Sequence, residues 1–112
     1  MLSSLLALSL AAAAMQSEAA NQARRDYSTC LRTFMRASLQ ERMEPGAFET
    51  AINDQCTTQA TAYRTALIAR DQRSGGSRAR AEEDAQIMID DSKANVMEYY
   101  RDYFSSNTIP DR

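Results

Sequence analysis

The chain has 112 residues, 44% of them apolar and 25% charged, with a formal net charge of −2. That is one globular domain rather than a disordered or fibrous chain. It contains no histidine, so Ser–His–Asp and Cys–His catalysis are excluded within the chain, as are zinc sites that mix cysteine and histidine. Two cysteines cannot make a four-cysteine site, no Gly-x-Gly-x-x-Gly or Gly-x-x-x-x-Gly-Lys cradle is present, and a net negative chain with one lysine is poorly suited to nucleic acid.

The first element, Leu2 to Met15, is an uncharged run of Leu, Ala and Ser. At fourteen residues it is shorter than the roughly 20 that span a bilayer, and it matches the apolar core of a secretory signal peptide. Small residues offer cleavage after Ala14 or Ala19, and the second leaves a polar start at Ala20-Asn21-Gln22. Residues 1–19 are therefore read as a signal peptide, although no Lys or Arg precedes Leu5. The competing reading is that they are the first turns of a buried helix, since Leu and Ala favour helices. Export leaves a periplasmic or secreted protein that is not transmembrane once processed. Twelve arginines against one lysine point to GC-rich bacterial coding.

Residues 20–104 read as one all-α domain, with helices at about 21–43, 46–73 and 78–104 and a tail at 105–112. Tyr27, Cys30, Leu31, Phe34 and Met35 recur at helical spacing in the first segment. The second carries Phe48, Ile52, Cys56, Ala60, Tyr63 and Leu67, and the third Ala85, Ile89, Ser92, Val96, Tyr99 and Tyr103. Glu44-Pro45-Gly46 interrupts the first pair, because proline can open a helix but not continue one. Ser74-Gly75-Gly76-Ser77 interrupts the second, with Ser77 placed to cap the third helix, and Pro110 follows its end. The expected fold is a three-helix antiparallel bundle, or a long hairpin with a third helix.

Cys30 and Cys56 are equidistant from Met43, where the first break falls. In an antiparallel hairpin they lie at the same height, and an exported pair of cysteines is expected to form an interhelical disulfide. The staple has a purpose: after cleavage at Ala19 the chain keeps only 23 apolar side chains larger than alanine, and small cores of this kind supply only a few kcal/mol.

Two surfaces are candidates for binding. Segment 1 carries a net charge of +3 over Ala20–Met43, with Arg25, Arg32 and Arg36 on one face, whereas Ser77–Phe104 carries −3. Adjacent helices would make these charges mutually complementary; otherwise the arginine row suits an anionic envelope component or an acidic envelope protein. Tyr99 and Tyr103 fall on the apolar stripe, while Tyr100 and Phe104 share a second face whose exposure would suit a partner or a homo-oligomer seam. The acidic runs Glu82-Glu83-Asp84 and Asp90-Asp91 do not converge on one ion, because neighbours on a helix diverge by about 100°, and no metal or other cofactor is implied. Ser92-Lys93 is not a facing dyad.

The expected function is a small, exported, non-enzymatic helical binding or scaffold protein of the bacterial envelope, acting through a helix face. A disulfide-dependent redox or metal-handling protein using Cys30 and Cys56 is the alternative, although redox pairs usually stand close in sequence. A histidine-free enzyme is a third reading.

Overall fold

The computed structural model describes residues 2–111, with side chains from residue 14 onward; Met1, Arg112 and the side chains of residues 1–13, most of the candidate leader, lie outside the described part. Every regular element described is helical. Helix α1 runs Leu2–Gln40, α2 Pro45–Ala51, α3 Thr57–Arg73 and α4 Arg78–Ser106, with a 3₁₀ turn at Ile52–Asp54.

The three long helices terminate by one device. Met43 N–H donates to Ser38 O and Arg42 N–H to Leu39 O at the end of α1, with Arg42 in the left-handed region at φ 56°. Gly75, at φ +92°, does the same after α3, and Asn107, at φ 56°, after α4. These double bonds satisfy carbonyls that a helix end leaves unpaired. Ser77 caps α4 by accepting from Arg80 N–H, as the sequence predicts.

The expected count of three helices is corrected to four. The segment read as one helix over 46–73 is broken between Ala51 and Thr57 without glycine or proline. After the 3₁₀ turn Gln55 is extended, and Cys56 takes φ 59°, ψ 33°, a left-handed conformation that disfavours side-chain-bearing residues. Two tertiary constraints impose the break. Phe48 of α2 is fully buried, and Cys56 is bonded to Cys30 with Cα atoms 5.9 Å apart. The disulfide forms as expected, but the returning chain reaches it through a short helix and a turn.

Helices α1 and α3 are antiparallel: Cys30 is bonded to Cys56 while Tyr27 lies against Tyr63, ring centroids 6.1 Å apart. Helix α4 lies across α3, where Arg64 donates to Gln86, and runs alongside α1, where Arg42 donates to Asn107 Oδ1 at 2.7 Å. The core holds Tyr27, Leu31, Met35 and Leu39 of α1, Tyr63, Leu67 and Ile68 of α3, and Ala81, Ala85, Ile89, Val96, Met97 and Tyr100 of α4. On the described part of α1 the first buried residue is Ala20. Helix α2 closes one end. Phe48 stacks between Phe34, at 5.2 Å, and Tyr100, at 3.8 Å; Tyr100 lies 6.1 Å from Phe104, and the Arg42 guanidinium covers Phe104 at 4.5 Å.

The expected aromatic arrangement on α4 is corrected at Tyr99 and Tyr100, while Tyr103 packs half-buried against the core as expected. Tyr100 is fully buried and donates its hydroxyl to Met43 O, and Phe104 is half-buried beneath Arg42; Tyr99, placed on the apolar stripe by periodicity, is 59% exposed. Near its start α4 packs on α3. Toward its C-terminus α2 takes over, and the buried face rotates from Ala85, Ile89 and Val96 to Met97 and Tyr100.

The Tyr27 hydroxyl is buried and finds no hydrogen-bond partner among the described residues. An unpaired buried hydroxyl costs about 1–3 kcal/mol, so Tyr27→Phe is expected to raise the thermal midpoint by several degrees. Tyr100→Phe, which orphans Met43 O, is expected to lower it; scanning calorimetry of both variants tests the contrast.

Burial pushes the hydroxyls of Tyr27, Tyr63 and Tyr100 above their ordinary value. The Asp90 charge adds to this at Tyr27, while Arg24 and Arg70 oppose it at Tyr63. A raised native value means that the folded state resists ionisation. Stability from this source is complete below about pH 10 and is lost as pH rises through the higher native values. Urea midpoints are therefore expected to fall steeply above pH 10 and to stay level from pH 8 to 9 as far as these tyrosines contribute.

Candidate functional site

Helix α1 packs more extensively on α3 than on α4, and the open seam between α1 and α4 forms a groove of about 670 Å³. That volume is in the range of small-molecule sites. The buried Leu31, Met35, Val96 and Tyr63 back the groove, and Met88 and Tyr99 expose apolar surface at its rim. Arg24, Ser28, Arg32 and Arg36 wall the α1 side; Met88, Asp91, Ser92, Asn95, Tyr99 and Tyr103 wall the α4 side, with Pro110 from the C-terminal tail.

The electrostatics are one-sided. Three guanidinium groups face one carboxylate, Asp91, across this seam. Complementary charge on the two helices would predict ion pairs here, but among the described residues none joins α1 to α4. The ion pairs present are Arg70–Asp71, Arg78–Glu82 and Arg101–Glu49, and exposed pairs of this kind contribute only about 0–1 kcal/mol each. Arg36 is half-buried, and its Nε is shielded from solvent without an acceptor among the described residues.

Neither a protein-family model, nor a curated protein, nor a solved structure matches the chain.

Of the sequence candidates, Arg32 and Arg36 line the groove and Arg25 does not. The three share a helical face by spacing, but the Arg25 guanidinium donates to Gln22 Oε1 at 2.9 Å. Helical side chains lean toward the N-terminus, and Gln22 lies one turn back in that direction. Arg24, which the sequence reading passed over, takes its place. Its relation to Ser28, Leu31 and Met35 at steps of four, three and four was available in the sequence, and the charge pattern drew attention to its neighbour instead. Tyr100 and Phe104 belong to the aromatic stack at the α2 end, while Tyr99 and Tyr103 line the groove. Cys30 and Cys56 lie on a different face, beside Thr33, Phe34 and Gln59. Among the described residues no three His, Cys, Asp or Glu side chains cluster as metal ligands would, and no helix is long and apolar enough to cross a membrane.

Proposed function

We propose that the chain is a small exported, non-enzymatic binding protein of the bacterial envelope, acting through the arginine-bearing face of α1 where it walls the α1–α4 groove. The observation that carries this reading is the groove: Arg24, Arg32 and Arg36 beside an apolar floor, without a carboxylate in ion-pair contact among the described residues. Such a surface is complementary to an anion-bearing ligand. Two further observations support export. A disulfide persists in oxidising compartments. The described side chains of residues 14–19 are nearly all exposed and the first buried residue on the described part of α1 is Ala20, so cleavage after Ala19 removes no described core residue.

The test has two arms. Expressed in a bacterial host, the full chain is expected in the periplasmic fraction with Ala20 or Met15 as its first residue; an uncut cytosolic chain contradicts export. For binding, the oxidised chain is titrated with inorganic phosphate, a glutamate-rich peptide and single-chain anionic amphiphiles, using tyrosine fluorescence. The Arg32→Glu/Arg36→Glu variant is expected to lose at least tenfold in affinity for whichever probe binds. Failure of every probe to bind in an arginine-dependent way refutes the reading.

A further inference from the structure

Resting on that reading, we infer that the groove takes a single-chain anionic amphiphile, its phosphate or carboxylate head on Arg32 and Arg36 and its hydrocarbon chain along Met88, Tyr99 and Tyr103. Three observations select this class. The charge is one-sided, three arginines to one aspartate, which calls for an anion. Arg32 and Arg36 stand one helical turn apart on the same wall, so one head can reach both guanidinium groups.

The third observation concerns the apolar part of the seam. Met35 and Val96 are nearly buried on the floor, whereas Met88 and Tyr99 at the rim are 39% and 59% exposed. An inorganic anion would leave those side chains in water. A chain laid beside them covers apolar surface on both partners, and each buried methylene strengthens binding about fourfold. The volume of about 670 Å³ is in the range of small-molecule sites.

The head could be a phosphate or a carboxylate, and the ligand could arrive free or within a bilayer. Oxidised full-length chain is therefore titrated with dodecyl phosphate, laurate, octyl phosphate, dodecyl maltoside and inorganic phosphate, each below micelle formation, and with phosphatidylglycerol vesicles. Tyrosine fluorescence is the readout, since Tyr63, Tyr99 and Tyr103 line the groove and the chain has no tryptophan.

The expected result is saturable 1:1 binding of dodecyl phosphate, laurate or both. Octyl phosphate and dodecyl maltoside bind at least tenfold more weakly than dodecyl phosphate, as does the Arg32→Gln/Arg36→Gln variant toward the anionic dodecyl probes. Tyr99→Ser, at an exposed rim position, weakens the dodecyl probes while leaving the melting temperature in place. Equal binding of the maltoside overturns the head assignment. Equal binding of inorganic phosphate, or binding of vesicles alone, overturns the chain assignment. If only phosphate or the glutamate-rich peptide binds, and does so through the arginines, this inference fails while the broader reading stands. If no probe binds in an arginine-dependent way, both fail.

Discussion

Phe48→Ala is expected to cost about 3–5 kcal/mol, the range for emptying a fully buried aromatic site. Phe48 is wholly buried and touches two helices through its ring, Phe34 of α1 on one side and Tyr100 of α4 on the other. Helix α2 has seven residues, and Phe48 is its buried anchor. Alanine would therefore remove the ring and also release α2 from the end of the molecule. At roughly 4–8 °C per kcal/mol for a domain of this size, the thermal midpoint falls by about 12 °C or more. Circular dichroism at 222 nm measures it. A shift of under 5 °C would mean that the α2 end contributes little to the fold.

The second large effect is loss of the Cys30–Cys56 bond. The separation of 26 residues gives about 3.5 kcal/mol by loop entropy. A second effect is local: the bond holds Cys56 in a left-handed backbone conformation immediately before α3, and an untethered serine relaxes out of it, so the start of α3 loses its anchor. Cys30→Ser/Cys56→Ser is therefore expected to lower the urea midpoint strongly, and dithiothreitol on the parent chain to reproduce the shift without changing the double variant. Two free thiols in the denatured, unreduced protein would contradict the bond. The two large effects compound, because a small core of this kind holds only a few kcal/mol in reserve: Phe48→Ala under reduction is expected to leave little folded protein at 25 °C.

Much of the scaffold was legible because its signals are local. Pro45 and the Gly75-Gly76 pair mark two of the interruptions, Ser77 caps where a serine is placed to cap, and the helical spacing of Tyr27, Leu31 and Met35 is their burial. The cysteine pair was readable from its symmetry about Met43. What was not legible depends on tertiary packing. The break at residues 52–56 has no breaker residue; it exists because Phe48 must enter the core and Cys56 must meet Cys30. The rotation of the α4 stripe, which buries Tyr100 and exposes Tyr99, follows from α2 replacing α3 against its C-terminal half, and a stripe read along one helix carries no information about a change of neighbour. The arginine row was half legible for a similar reason. Spacing put Arg32 and Arg36 on one face, but whether a long side chain lines a groove or folds back on its own helix, as Arg25 does on Gln22, is decided by local hydrogen bonding. The absence of histidine narrowed the chemistry from the outset, and it is the unpaired guanidinium groups that now carry the functional argument.

The most direct measurement is an amide chemical-shift map of the isotope-labelled, oxidised chain as dodecyl phosphate is added below micelle formation. The account predicts saturable shifts converging on Ser28, Arg32 and Arg36 of α1 and on Ser92, Asn95 and Tyr99 of α4, with one ligand per chain. Shifts confined to the disulfide edge around Thr33 and Gln59, to the Met15–Gln22 stretch, or spread evenly without saturation would contradict it.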